Sequence, residues 1–199
     1  MTISFDFEAL SERERYKLMI GTIIPRPIAL VTTVDEHGRI NAAPFSFFNC
    51  LSADPPILAL GVENNPDMSF KDTGYNIRMT EVFTVNIVSF SIAEAMHVCG
   101  SKYPRGVDEL KEAGLTAMAG QKVASPWRSR KHPQHSSAGV MSRLSSGNPV
   151  RSSWARSSML IIATVSSILK VCASIPGKSM PSRALAAIPA RRSVTVSRC

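Results

Sequence analysis

Arg26-Pro27-Ile28-Ala29-Leu30-Val31-Thr32-Thr33-Val34-Asp35-Glu36-His37-Gly38-Arg39-Ile40-Asn41-Ala42-Ala43-Pro44-Phe45-Ser46-Phe47-Phe48-Asn49 is the stretch that decides how this chain folds. An apolar run ends in two threonines. A polar turn, Asp35-Glu36-His37-Gly38, follows, and a second β-prone run starts at Ile40. This pattern predicts a β-hairpin with a glycine-containing turn. Pro25 and Pro27 fix their own φ angles and restrict their predecessors, so the first strand is entered extended.

Outward from the hairpin, Ser11 with Glu14 three residues on has the capping-box pattern, and a short helix is expected over 12–20, ended by Gly21. Strands are expected at 28–34, 40–48, 57–62 and 82–89. Cys50 to Pro56 reads as a loop. The unbroken apolar run 57–62 suggests burial on both faces. Helices are expected from Ser69 to about Met79, over 92–99 with Ser91 as cap, and over 107–113. Strands and helices do not alternate regularly. This favours a mainly β fold, an antiparallel barrel with peripheral helices, over a doubly wound sheet.

Charge divides the chain. Residues 1–120 hold ten Lys/Arg and all fifteen Asp/Glu, net −5, whereas residues 121–199 hold thirteen Lys/Arg and no acid. Eighteen of those last 79 residues are serine, and the regular periodicities stop except near Met159–Val171. The expected organisation is therefore a domain over 1–125 and a basic Ser/Arg/Pro-rich tail over 126–199, poorly ordered, with one short helix or strand at Met159–Val171. Such a composition allows a polyanion-binding tail. The tail lacks the aromatic interleaving of a single-strand binder, which argues against nucleic acid as a partner. Codon arithmetic offers another origin. From Val150 onward the neighbouring reading frame allows a continuous string in which acids, strand alternation and Asp-Gly and Gly-Gly turns return. The tail is thus expected to be a frameshifted translation of a normal domain end.

Four scattered cysteines form no CxxC pair, which argues against a zinc ribbon or disulfide framework and fits a reducing cytosol. The opening residues lack the basic region of a signal peptide, and Met159–Val165 is too short to span a bilayer, so a cytoplasmic location without membrane is expected. His97, with no second ligand at helical spacing, reads as structural, and no metal site is expected.

At Pro25–Thr33, Asn41–Asn49, Lys71-Asp72-Thr73 and Phe83-Thr84-Val85-Asn86 the chain resembles the flavin reductase-like, FMN-binding split-barrel family, over about residues 15–120. The resemblance implies a Greek-key split β-barrel, here incomplete at its C-terminal end, that forms a homodimer with FMN near the interface. It implies reduction of flavin by NADH or NADPH, and in some relatives a partner monooxygenase or an electron-carrier role. It places Thr32, Thr33, Ser46, Phe47, Phe48, Asn49, Lys71, Asp72, Thr73 and Asn86 at flavin-site positions.

These residue types suit that cofactor. Hydroxyls, backbone N–H groups and a helix start hold a phosphate dianion, and Lys71 adds a point charge. The Ser46–Asn49 run offers an apolar wall and an amide. No catalytic side chain is expected, because hydride passes directly from nicotinamide to flavin. Singly, the same residues read more plainly. Thr32 and Thr33 suit any strand end, the phenylalanines suit a core, Ser69 suits an N-cap, and Cys50 suits a small buried hydrophobe. A non-enzymatic, defective family member or a flavin-binding electron carrier with a polyanion-binding tail is the alternative. Resequencing the gene across the codons for Ala119–Arg130 is expected to reveal a gained or lost base. An intact frame with the same tail in close relatives overturns the frameshift.

Overall fold

The computed structural model describes residues 4–118, 128–129, 136–139 and 158–164. Helix α1 (Glu12–Thr22) starts from the expected capping box. Ser11 Oγ accepts from Glu14 N–H, and Glu14 Oε2 accepts from Ser11 N–H at 2.9 Å. It continues through Gly21 to Thr22, two residues beyond the expected 12–20, and none of its residues is buried.

Strands β1 (Ala29–Val34) and β2 (Ile40–Phe45) form the predicted hairpin, paired from Ala29↔Phe45 to Val34↔Ile40. Its turn is built by Asp35. One carboxylate oxygen accepts from His37 N–H at 2.9 Å and Arg39 N–H at 2.8 Å, and the other accepts from Arg39 Nε at 2.6 Å. Gly38 has φ +77°, a conformation glycine adopts without steric cost. Burial works to raise the Asp35 carboxyl, but the N–H groups and guanidinium outweigh it and hold it below the ordinary carboxylate range.

The expected single strand 40–48 is broken. β2 stops at Phe45, Ser46-Phe47 form a bend, and a new strand β3 (Phe48–Ala53) follows where a loop was predicted from Cys50. Strand β4 (Pro56–Glu63) pairs with β3. Its apolar run is not buried on both faces: Leu58, Leu60 and Val62 point inward, while their neighbours are at most half-buried. Helix α2 (Asp72–Thr80) begins three residues later than predicted, because Ser69 bonds to the Asp67 carboxylate instead of capping it. Strand β5 (Val82–Ile87) leads to a 3-10 turn over Phe90–Ile92 and helix α3 (Ala93–Cys99), whose N-cap is Ile92, not Ser91. Helix α4 (Glu109–Glu112) is shorter than predicted and capped by the Asp108 carboxylate.

Strands β6 (Ala117–Met118) and β7 (Arg128–Ser129) pair with each other. Strands β8 (Ser136–Gly139) and β9 (Ser158–Thr164) join the main sheet, whose order is β2-β1-β5-β8-β9-β4-β3. The element expected at Met159–Val171 is thus β9. The prediction of poor order over 126–199 falls mostly outside the described residues.

The order dictates the shape. β2 and β3 are the two outermost strands, yet only Ser46 and Phe47 separate them. A flat sheet would hold its edges about 29 Å apart, from six steps of about 4.8 Å. Three Cα steps reach at most about 11 Å. The sheet must therefore curl until its edges meet, which makes a barrel split along the β2/β3 seam. Among the described residues β8 and β9 pair at Gly139↔Thr164.

Inside lie Val31, Phe48, Leu60, Phe83 and Val85, with Ile77 of α2 packed among them. Outside, Leu30 and Ala42 are covered by Cys99, Leu110 and Leu115. At the bend, Gly61 N–H donates to Phe47 O at 2.8 Å, and a Cβ on Gly61 would stand 3.1 Å from Phe47 Cβ. Gly61→Ala is expected to crowd this contact and lower stability by about 1–2 kcal/mol in a urea titration, overpacking outweighing the loss of unfolded-state entropy.

Candidate functional site

Successive strand residues face opposite ways, so Thr32 and Thr33 serve two different polar clusters. Thr33, on the inner face, accepts from Asn76 Nδ2 at 3.0 Å and Asn41 Nδ2 at 3.3 Å. Asn41 Nδ2 also donates to Thr73 Oγ1 at 3.0 Å. All four residues are buried, and together they tie β1, β2 and the first turns of α2 at one end of the barrel. Thr32, on the outer face, lies opposite Thr84 of β5. Asn86 Nδ2 donates to Leu30 O at 3.0 Å and is 3.4 Å from Thr32 Oγ1. Asn86 Oδ1 and Thr84 Oγ1 are buried without a hydrogen-bond partner among the described residues.

The hydroxyl–amide corner opens on a small cleft lined by Asn41, Asn76, Asp72, Arg39 and Arg105. Arg105 Nε is 3.6 Å from Asp72 Oδ1, and its guanidinium stacks 4.1 Å above the Tyr75 ring. The Asp35 carboxylate holds Arg39. Lys71 is the N-cap of α2, is exposed, and gives its helix no side-chain cap. The N–H groups of Asp72, Thr73 and Gly74 therefore point out of the helix start with no acceptor inside it. This end carries the partial positive charge of the helix, and the lysine stands beside it.

The other predicted residues lie elsewhere. Ser46 lies just past the end of β2, five residues from Asn41, about 17 Å at strand spacing. The Phe47 ring packs against Tyr16 of α1, with centroids 6.1 Å apart. Phe48 points into the core, whereas Asn49 is exposed and its Oδ1 accepts from Cys50 N–H at 2.8 Å. The structure thus brings Thr33 and Thr73 together and links Thr32 to Asn86. It puts Lys71 and Asp72 beside the first cluster and Ser46–Asn49 at the seam.

Sequence reasoning missed Asn41, Asn76, Arg39 and Arg105. Asn41 carried the one readable signal, an amide inside a β-prone run. A buried amide demands partners, and that alone could have pointed to it. Cys50 is exposed, not a buried hydrophobe. Among the described residues no group of His, Cys, Asp and Glu could hold a metal ion.

Residues 20–129 match the family model described as a flavin reductase like domain. An uncharacterized protein of Aquifex aeolicus is 42% identical over 111 residues, which cover 56% of this chain and 57% of that protein. The chain thus spans little more than half the length of the curated relatives it matches. Among solved structures, nitrilotriacetate monooxygenase component B from Bacillus cereus superposes with a TM-score of 0.76 at 26% identity, covering 84% of this chain and 80% of that one. A split barrel domain protein from Shewanella frigidimarina shares the fold, with a TM-score of 0.67 at 20% identity over 88% of this chain and 84% of that one.

Asn41→Ala is expected to strip a shared donor from the Thr33 and Thr73 hydroxyls and to lower unfolding stability by about 1–3 kcal/mol. A urea midpoint unchanged from the parent chain would show that the network carries no stability.

Proposed function

The chain belongs to the flavin reductase-like family, and from that membership we propose that it binds FMN and passes hydride from NADH or NADPH to flavin. The observation that carries the reading is the cleft between β2 and α2. There a cap-free helix start, Lys71 and two arginines stand over the buried Thr33–Asn41–Thr73–Asn76 corner. Both arginines are engaged by aspartates, so the positive character left for a ligand comes from Lys71 and the α2 N–H groups. That donor set suits a phosphate, and the residues fit the cofactor on this ground.

Lys71, Asp72 and Thr73 would hold the phosphate end through backbone N–H groups and the lysine charge. Ser46, Phe47 and Asn49 at the seam would face the ring end, with apolar surface from Phe47 and an amide edge from Asn49. Phe48 supports that wall from the core. Thr33 orients Asn41 and Asn76 beneath the phosphate corner, while Thr32 and Asn86 fix β1 against β5. A bound flavin supplies the hydride chemistry, and the chain's residues supply binding and orientation. No side chain is assigned as acid or base.

The likeness to a monooxygenase component supports a role in supplying reduced flavin to a partner oxygenase. A homodimer is supported by apolar side chains left open, including Ile23, Ile24, Leu51 and Phe90, the last 97% exposed. Among the described residues no helix is long and apolar enough to cross a membrane. A cytoplasmic location, which suits the scattered unpaired cysteines, is part of the proposal.

A second reading rests on the tail: residues from about 126 onward are a shifted-frame product, and activity is reduced or absent. The family match ends at residue 129, and no acidic residue follows Glu112. The curated relative aligned over 111 residues likewise matches only 56% of this chain.

The purified full-length chain is expected to be yellow, to quench FMN fluorescence saturably, and to oxidise NADH or NADPH only when flavin is present. Binding without turnover favours the second reading. A folded, colourless chain with neither property overturns the first. Truncation at Gln121 separates a polyanion-binding tail: loss of polyanion binding with unchanged flavin affinity would make the tail a binding module.

A further inference from the structure

Strand β2 is an outermost strand, so among the described residues one side of its backbone has no strand neighbour. Ile40, Ala42 and Pro44 present their backbone groups to that side, since their neighbours Asn41, Ala43 and Phe45 share the hydrogen-bonding phase with β1. Pro44 has no N–H to leave unpaired, as suits an edge. The Ala42 N–H donates to Glu109 Oε2 at 2.8 Å, across 67 residues of chain. Glu109 is the first residue of α4 and is buried. Its own backbone carbonyl accepts from the Cys99 thiol at 3.5 Å, which fastens α4 to the end of α3. Gly100, which follows α3, lies against Pro44: a Cβ added there would stand 3.1 Å from the proline ring. The outer edge of β2 is thus gripped at Ala42 and Pro44 by one helix pair.

Ala42 follows Asn41, the residue that links Thr33 to Thr73, and the same strand ends one residue before Ser46. We propose that Glu109 is a positioning residue for the flavin site: its carboxylate, reaching from α4 to the Ala42 N–H, fixes the height of β2. That in turn holds Asn41 under the phosphate corner and Ser46 at the seam. The inference rests on the flavin reading above. Burial pushes the Glu109 carboxyl up against the pull of the Ala42 N–H, with Asp72 and Asp108 adding to the push, so this contact is kept at an electrostatic cost. An amide of the same length would accept the same hydrogen bond without that cost.

Two variants of the full-length chain separate reach from charge. Glu109→Gln keeps the reach and removes the charge, whereas Glu109→Asp keeps the charge and withdraws the oxygen by one methylene. Each is compared with the parent by FMN fluorescence titration and by hydrogen exchange at the Ala42 amide. Melting curves check that the variants are folded. Glu109→Gln is expected to bind FMN within about threefold of the parent, with Ala42 exchange unchanged. Glu109→Asp is expected to exchange Ala42 at least about tenfold faster and to bind FMN at least about tenfold more weakly, the size of one lost hydrogen bond. Faster Ala42 exchange with unaltered FMN affinity overturns the positioning role, as does equal weakening in both variants. A parent chain that binds no FMN overturns the flavin reading, and the proposal with it.

Discussion

Two residues, Ser46 and Phe47, join the outermost strands of a seven-stranded sheet, and this short passage governs the rest of the structure. A sheet whose edges are tied so closely cannot stay flat. Once curled, it has an inside that must be filled with apolar side chains and an outside that must be covered. Both demands are visible along β1, where all six residues are buried yet alternate in direction. Ala29 and Val31 join the interior, and Leu30 joins the outer cluster under α3 and α4. The bend is also where the chain passes tightest over β4. Gly61 is the residue that lets the Phe47 backbone approach and bond to it.

A split barrel gains closure but keeps two edges, and those edges must be managed. β2 manages its edge with Pro44 and the Glu109 carboxylate. The ends of the barrel interior pose a second problem, because a helix start entering there brings polar groups with it. The chain answers with a hydroxyl–amide network in which Asn41 and Asn76 donate to Thr33 and Thr73. Each bond contributes modestly. Leaving one buried partner unmatched would cost more than making the bond gains, which is why the network acts as a unit. The same network leaves the N–H groups of α2 unencumbered by any side-chain cap.

Much of this was readable in the residues, for identifiable reasons. The hairpin of β1 and β2, the capping box of α1 and the αL glycine at Gly38 are local, and local rules read them. The bend at Ser46-Phe47 was hidden inside a run of β-prone residues, because nothing in Phe-Ser-Phe-Phe breaks a strand. Its cause is tertiary, the need to cross from one sheet edge to the other. The cap of α2 was misread for a different reason. Ser69 has the right chemistry for an N-cap, but Asp67 competes for its hydroxyl and backbone N–H only two residues away. Thr32 and Thr33 were grouped as one feature because they are adjacent. The period of a strand instead sends them to opposite faces, so one serves α2 and the other β5. Arg105 and Glu109 became relevant only when the fold brought their loop and helix against the hairpin.

The two ends of the proposed site do not depend on the same parts of the chain. The phosphate corner is made from β1, β2 and α2 and is braced by Glu109, all before residue 113. The seam end rests on β3 and β4, and β4 is held on its other side by β9 over seven residue pairs, from Ile57↔Thr164 to Glu63↔Ser158. Among the described residues, β9 meets the half of the sheet that carries the corner at Gly139↔Thr164. The corner's own hydrogen bonds thus lie within the first 113 residues, whereas the distance from corner to seam is set by the two-residue bend and by strands drawn from the acid-free part of the sequence. A ligand anchored at the corner alone needs only the first group of contacts. A flavin whose ring must lie against the seam needs both, so the tail bears more directly on how the ring is oriented than on whether a phosphate is held.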